Sequence, residues 1–207
     1  MEPYFIPMEN LFFQEEIKKS RFMTYLARVE GKEQALTYVH EIKKLHQAAS
    51  HHCWAYIAAA PNDDMCMGRS DDGEPKGTAG KPILSVLQGS HIGEIVAVVV
   101  RYSGGIKLGT GGLVRAYSNG VQQLIKKLST TEKRFYQHYQ LHCDYAQMAQ
   151  IEILLAALSG RIVEVDYLQS IQATIEVDQQ LCKQFTEKLE SLTQGKVLAK
   201  KIPFIVR

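Results

Sequence analysis

The chain has 207 residues, of which 45% are apolar and 22% are charged, and its formal net charge is +2. This composition is ordinary for globular proteins, and the length allows one large or two small domains. Apolar runs such as residues 95–100 are far shorter than the ~20 residues of a membrane span, and the first residues do not resemble a secretory signal. We therefore expect a soluble, cytoplasmic protein with no membrane partner.

The four cysteines argue against a disulfide framework or a zinc motif. They lie far apart, at positions 53, 66, 143 and 182, and no two of them form a CxxC pair. A chain of this size forms a core without covalent cross-links. We expect reduced thiols, no bound cofactor and no structural metal.

The first half of the chain alternates between strand and helix patterns. In chain order, the patterns predict two strands within residues 11–30, a helix at 32–49, a strand at 51–60 and turns at 70–81. They then predict a short helix at 82–88, a central strand at 94–101 and a long helix that follows Gly111 or Gly112 and ends near residue 127. The stripe predicted to face the core in the first helix consists of Ala35, Leu36, Val39, Ile42 and Leu45. Gly120, inside the last helix, indicates close packing or close approach of a ligand.

The second half reads as a smaller domain with the element order βαββαβ. Strand patterns cover residues 139–145, 161–167, 170–177 and 197–206, and helical patterns cover 148–158 and 179–192. This order and a length of ~70 residues are typical of the ferredoxin-like split unit. Ser129-Thr130-Thr131 is interpreted as a helix end and linker, which divides the chain into domains at residues 1–134 and 135–207.

A strand, a glycine-rich loop and a helix follow one another in residues 99–118, VVRYSGGIKLGTGGLVRAYS. Glycine allows close backbone approach, and the free N–H groups at a helix start favour anions. Neither GxxxxGK[ST] nor GxGxxG is present, so no nucleotide fingerprint is claimed. Seven basic residues against one acidic residue between positions 101 and 134 nevertheless favour phosphate binding.

The candidate phosphate or nucleic-acid contacts are basic residues and glycines of this motif and of the 70–81 loop. They are Arg101, Lys107, Gly109, Gly111, Gly112, Arg115, Lys76 and Lys81. Tyr102 and Tyr117 are candidates for stacking on bases. The alternatives are a solvated basic face and tyrosines that pack in or beside the core.

A second group of candidates could perform metal or acid–base chemistry. Asp71, Asp72 and Glu74 offer oxygen ligands for Mg²⁺, and ordinary turn chemistry is their alternative. His51 and Cys53 share a strand face that His52 does not, so His51 is a further ligand or acid–base candidate. The alternative is a histidine at the solvent edge and a small buried thiol, since no catalytic triad can be assembled from the sequence.

Several segments together resemble the IMPACT/YigZ family. They are Lys19-Ser20-Arg21-Phe22, His51 with Cys53, Ala55 and Tyr56, the run SDDGEPKGTAGKPIL at 70–84, and the motif at 99–118. The resemblance implies an α/β (α+β) protein with a ribosomal-protein-S5-domain-2-like sandwich, followed by a ferredoxin-like domain similar to a C-terminal domain of elongation factor G. It also implies a link to translation and favours a bacterial-type member, since eukaryotic members contact partners through a separate N-terminal domain that has no counterpart here.

Three functional hypotheses follow. The first is a non-enzymatic translation regulator that binds RNA or the ribosome through backbone phosphates. The second is a metal-assisted enzyme that acts on a phosphorylated small molecule or nucleotide, and the third is a module that binds a protein partner in translation. The first two require the 70–81 loop and the 104–112 loop to meet in space and to present Arg101 and Arg115; the sequence assigns no oligomeric state.

Overall fold

A computed structural model describes residues 2–167 and 170–203. The chain divides into two compact units, one spanning Tyr4–Lys133 and the other formed mainly by the residues from Arg134 onward. Within the described ranges, no helix is long and apolar enough to cross a membrane.

The first unit is built on a five-stranded antiparallel sheet. Its elements, in chain order, are β1 (Tyr4–Pro7), β2 (Leu11–Ile17), β3 (Ser20–Arg28), α1 (Gly31–Leu45), β4 (His51–Ile57), β5 (Met67–Ser70), α2 (Gly80–Ser90), β6 (Ile95–Tyr102), α3 (Thr110–Ile125) and β7 (Thr130–Lys133). The strand order in the sheet is β2-β3-β6-β4-β5. Lys18 and Lys19, both with positive φ, form the two-residue turn that joins β2 to β3.

Helices cover both faces of this sheet. Helix α1 packs on one face, where it meets the side chains of Val96, Val98 and Val100, and helices α2 and α3 pack on the other. Because successive strand residues point to opposite faces, both sets of β6 side chains are buried. The continuous apolar run of residues 95–100 is thus explained, and the prediction of a central strand buried on both faces is confirmed.

Two predictions about the first unit need correction. The first helix ends at Leu45 rather than at residue 49, and Leu36 and Leu45 of its predicted core stripe are exposed, because only part of the apolar stripe lies against the sheet. Ser129-Thr130-Thr131 is not a linker, because β7 begins at Thr130 and pairs antiparallel with β1. The partner strand lies more than 120 residues away in sequence, so no local pattern indicated this pairing.

The second unit is an antiparallel four-stranded sheet with helices on one face. Its elements are β8 (Tyr136–Cys143), α4 (Tyr145–Ala157), β9 (Arg161–Tyr167), β10 (Ile171–Asp178), α5 (Cys182–Thr193) and β11 (Lys200–Ile202). The strand order β11-β8-β10-β9 is that of the ferredoxin-like split unit, which confirms the predicted fold. The last strand is shorter than predicted, and positions 204–206 of that prediction lie outside the described residues.

Candidate functional site

The loop between β5 and α2 is organised around the carboxylate of Asp71. One oxygen, Oδ1, accepts hydrogen bonds from the amides of Ala79 (3.1 Å) and Gly80 (2.8 Å), and Oδ2 accepts one from the amide of Gly77 (2.8 Å). Burial acts to raise the pKa of Asp71, but these three amide donors outweigh it and the pKa is lowered. Asp71 therefore closes the loop and covers the start of α2.

Replacing Asp71 with asparagine should destabilise the first unit by about 1–3 kcal/mol at pH 7, because an amide group cannot accept all three hydrogen bonds. A carboxylate whose pKa is lowered on folding stabilises the folded state above its ordinary pKa of about 4, and this contribution disappears as the pH falls below it. Thermal unfolding from pH 7 to pH 3 should show the gap between wild type and D71N closing as the pH drops. A gap that persists unchanged at pH 3 would contradict this role for Asp71.

Asp72 is also engaged by the protein itself. Its carboxylate accepts hydrogen bonds from Lys43 Nζ (2.8 Å) and from the backbone amide of His52 (2.7 Å). In the described part of the chain, no three His, Cys, Asp or Glu side chains are grouped so as to hold a metal ion. The contacts of Asp71 and Asp72 agree with turn chemistry, and they do not form the metal site offered as the other interpretation.

Glu74, from the same loop, is the buried centre of a polar cluster. Its Oε1 accepts hydrogen bonds from Arg101 Nη1 (2.7 Å) and from the Tyr117 hydroxyl (2.7 Å), and His51 Nε2 lies 3.8 Å away. The loop at 71–79 thus meets the end of β6 and helix α3, which are the elements on either side of the 104–112 loop. However, they meet through an internal ion pair and not through an open cationic surface.

Two candidate residues are therefore assigned wrongly by the sequence. Arg101 is buried and paired with Glu74, so it is not available to an external phosphate. Tyr117 is fully buried, burial raises the pKa of its hydroxyl, and its ring packs edge-on against Phe22, so it cannot stack on a base. Strand alternation explains the first error, because Arg101 shares with Val99 the sheet face that α2 and α3 cover.

Ser20 links the buried cluster to the glycine-rich loop. Its hydroxyl oxygen accepts hydrogen bonds from the Gly104 amide (3.1 Å) and from Arg101 Nη2 (3.4 Å). A side chain at position 104 would overlap the backbone of Lys19, so the β2–β3 turn and the loop approach as closely as glycine allows. The ion pair thus holds the base of the loop in place.

The strand residues His51 and Cys53 do not form a nucleophilic pair. Burial raises the pKa of the Cys53 thiol to about 12, and Sγ lies 2.9 Å from the carbonyl oxygen of Asp71. His51 Nδ1 lies 2.9 Å from the carbonyl oxygen of Asp72 and is half-buried at the edge of the cluster. A thiol with a raised pKa is a weak nucleophile, so the alternative of an edge histidine and a buried thiol describes both residues.

Tyr102 points to the opposite face of the sheet from Arg101. Its hydroxyl is 3.0 Å from His46 Nδ1, and the Arg21 guanidinium lies over its ring at 4.5 Å from the centroid. One ring face is therefore already occupied, and the tyrosine packs beside α1 rather than beside the glycine-rich loop. The structure does not bring Tyr102 together with the other candidates.

The remaining candidate cations are exposed. Lys76, Lys81, Lys107 and Arg115 form no ion pair with the described residues, and the Nε of Arg115 donates to the carbonyl oxygen of Gly111 (3.3 Å). An open groove of about 700 Å³ between α2 and α3 includes Lys81 in its lining. Arg115 lines a neighbouring cavity of about 570 Å³, and Ser118 and Gln122 of α3 line both the groove and this cavity.

Comparison with known proteins agrees with this two-unit architecture. Residues 18–125 match the model of the Impact N-terminal domain, and residues 141–196 match a domain of unknown function, DUF1949. An IMPACT family member of Haemophilus influenzae is 46% identical over 96% of both chains, and the IMPACT family member YigZ of Escherichia coli is 46% identical over 94% of this chain and 96% of its own. This chain belongs to the IMPACT family. A crystal structure of a hypothetical protein, 45% identical to this IMPACT family chain, covers 98% of both with a TM-score of 0.68.

Two basic residues that the sequence interpretation did not select lie at these concave surfaces. Lys18 lines the same cavity as Arg115, and Lys126 lines the same groove as Lys81. Both lysines were visible in the sequence, one in the polar break before β3 and one at the end of α3. No local pattern indicated that each would share a concave surface with a residue far away in the chain.

Proposed function

We propose that this IMPACT family member is a non-enzymatic, translation-associated protein that binds RNA, free or in the ribosome, through backbone phosphates. The observation that carries the proposal is the set of exposed cations around α3 that have no carboxylate partner in the described part of the chain. They are Lys18, Lys81, Lys107, Arg115, Lys126 and Lys127, and Lys76 of the 71–79 loop is also exposed and unpaired among the described residues. Unpaired cations on one side of a fold create the positive potential that attracts a polyanion.

The basic residues between positions 101 and 134 separate into two groups. Arg101 pairs with Glu74, Arg134 pairs with Asp178, and Lys133 pairs with Glu30 and Glu94. The other four, which are Lys107, Arg115, Lys126 and Lys127, are exposed on α3 and its flanking residues. The fold therefore neutralises the basic residues that it buries or uses in packing. The surface proposed here consists of the other cations around α3, so it differs from the sequence-based expectation that Arg101 and Arg115 bind phosphate together.

The glycine-rich loop leaves backbone accessible beside these cations. An added side chain at Gly105, Gly109 or Gly111 would meet no atom within 4 Å, so internal packing does not require glycine there. Positive φ angles at Gly105 (79°) and Gly109 (74°) account for two of the three glycines. Open backbone next to Lys107 and Arg115 supports contact with a phosphate chain rather than with a single buried ligand.

The enzymatic alternative receives no support from these contacts. Asp71 and Asp72 hold amides and a lysine, Glu74 holds Arg101, and the Cys53 thiol has a raised pKa. Each candidate for metal binding or acid–base chemistry already has an internal role. We therefore do not propose the metal-assisted enzyme.

The proposal predicts that K107Q/R115Q lowers affinity for RNA and for ribosomes by about tenfold or more at 0.1 M salt. Each lost phosphate contact removes about 0.7–0.9 from the slope of log K against log salt, so the double variant should lose about 1.4–1.8. Fluorescence anisotropy with labelled single-stranded RNA, repeated from 0.05 to 0.3 M KCl, measures both quantities. Ribosome pelleting at the same salt concentrations gives the second readout.

A matched control removes two exposed lysines from the opposite side of the sheet. Lys32 and Lys44 lie on α1, and K32Q/K44Q makes the same change in net charge. Equal losses of affinity in both double variants would mean that RNA affinity depends only on the net charge of the protein, which would contradict a specific binding surface around α3. Association with ribosomes that survives nuclease treatment and is unchanged in K107Q/R115Q would favour a protein partner instead.

A further inference from the structure

The cavity beside α3 differs from the rest of the basic surface because it combines cations with an apolar wall and a free amide. It lies between the β2–β3 turn and α3, has a volume of about 570 Å³, and is lined in part by Ile17, Lys18, Leu108, Arg115, Asn119 and Gln122. Small-molecule sites commonly measure ~300–1,000 Å³. We propose that this cavity binds one unpaired nucleotide, holding its phosphate and its base together; the inference rests on the proposed RNA binding and specifies it.

Two cations from distant parts of the chain meet at this cavity. Lys18 is held at φ 48° in the tight β2–β3 turn, and the Nε of Arg115 is anchored on the carbonyl oxygen of Gly111. This anchor leaves both Nη groups of Arg115 available for the bidentate contact that guanidinium groups make with phosphate. No carboxylate side chain is among the residues that line the cavity, and the Glu15 carboxylate, which binds Asn119, forms no ion pair with Lys18 or Arg115.

The apolar wall suits the flat face of a base. Ile17 and Leu108 are partly buried and pack against the hydrophobic core of the first unit, which fixes their positions. Between these two side chains and the cations, the wall of the cavity is completed by Ala116 of α3. A ring that packs on such a wall loses apolar surface to solvent, while its phosphate stays at the charged side.

The two carboxamides have different roles. Asn119 is saturated, because its Nδ2 donates to both carboxylate oxygens of Glu15 (2.8 and 3.0 Å) and its Oδ1 accepts from Gln123 (3.4 Å). The side chain of Gln122 has no hydrogen-bond partner within residues 2–167 and 170–203, and it is exposed at the cavity. Gln122 can therefore offer one donor and one acceptor to the edge of an unpaired base.

The test measures binding of nucleoside 5′-monophosphates to the full chain by isothermal titration calorimetry at constant ionic strength. The four common ribonucleotides are compared with ribose 5-phosphate, the free nucleosides and inorganic phosphate. At least one nucleotide should bind tenfold or more tightly than ribose 5-phosphate and the matching nucleoside. R115Q should weaken that nucleotide at least tenfold, and Q122A should weaken it about fivefold while leaving ribose 5-phosphate unchanged.

K32Q is the matched control, because Lys32 is exposed on α1, on the other face of the sheet, and lines neither this cavity nor the neighbouring groove. It should leave nucleotide binding unchanged, and the fluorescence of Trp54 confirms that each variant is folded. Salt-sensitive RNA binding without nucleotide binding would overturn the cavity assignment and leave the proposed function standing. Nucleotide binding without RNA binding would support the cavity and overturn the proposed function, whereas equal affinity for nucleotide and ribose 5-phosphate would overturn the base contact.

Discussion

Replacing Glu74 with alanine should destabilise the first unit by about 3–5 kcal/mol, because it leaves the Arg101 guanidinium buried without its counter-ion. The same carboxylate oxygen also accepts the hydroxyl of Tyr117, so a second buried donor loses its acceptor. The cluster lies under the loop at 71–79 and joins β6 to α3. Loss of the Glu74 carboxylate should destabilise the whole first unit, because the buried Arg101 charge cannot be hydrated again without local unfolding.

Trp54 makes this prediction measurable in the full chain. It is the only tryptophan, it lies on β4, and it stacks on Tyr56 with ring centroids 5.6 Å apart. Its fluorescence in a urea titration therefore reports unfolding of the first unit without a signal from the second. E41A, which changes an exposed glutamate of α1, is the matched control and should change the free energy of unfolding by no more than about 0.5 kcal/mol.

A triple variant separates the charge effect from the packing effect. E74L/R101M/Y117F removes both charges and the hydroxyl while keeping the approximate volume, so it should recover most of the stability that E74A loses. It should keep the RNA affinity of the wild type, because it leaves Lys107 and Arg115 untouched. If E74A costs less than 1 kcal/mol, the guanidinium of Arg101 must reach solvent, and the assignment of this ion pair as buried would be wrong.

Periodicity predicted most of the fold because most elements bury one face or both faces against a neighbour. The run of residues 95–100 could only be a strand covered on two sides, and the βαββαβ order of the second half leaves few arrangements other than the split ferredoxin-like sheet. The short peripheral strands β1 and β7 were not predicted, because each has only four residues and the two pair across the whole length of the first unit. Their stability comes from a distant partner, which a local pattern does not contain.

The sequence predicted contact between two distant segments but not the kind of contact that they make. The loop at 71–79 and the motif at 99–118 do meet. However, composition cannot distinguish an arginine that binds an external phosphate from one that pairs with Glu74, 27 residues earlier in the chain. Strand alternation carries part of the missing information, because Arg101 follows Val99 on the covered face. The exposure of Lys107 on the loop and of Arg115 on the outer side of α3 depends on how α3 packs, which the sequence alone did not reveal.

The 99–118 motif therefore combines two physical roles that its sequence does not separate. Arg101, Gly104 and Tyr117 face inward, where they fasten the end of β6, the loop and α3 to Ser20 and Glu74. Lys107 and Arg115 face outward beside open glycine backbone. Rigidity of the inner set positions the outer set, so variants of the inner set should lose stability and variants of the outer set should lose binding.

Gly120 gives the second large expected effect, since G120A should destabilise the first unit by about 1–3 kcal/mol although alanine is the better helix former. An added methyl group at this position would overlap Oγ1 of Thr24 and lie 3.1 Å from its Cβ, with the Phe13 ring 3.5 Å away. Thr24 is buried on β3, so its side chain cannot move into solvent to make room for the methyl group. The sequence left open whether this glycine marks close packing or a ligand, and these contacts favour packing of α3 on β3.

Gly111, in the first turn of the same helix, is the matched control. An added methyl group there would meet no atom within 4 Å, so G111A should leave stability unchanged or raise it by up to about 1 kcal/mol. Trp54 fluorescence in urea measures both variants, and G120A/T24A completes a double-mutant cycle. Because T24A removes the overlapping hydroxyl, G120A should cost at least 1 kcal/mol less in the T24A background. Additive losses in the cycle would show that the cost of G120A arises elsewhere than at the contact between α3 and β3.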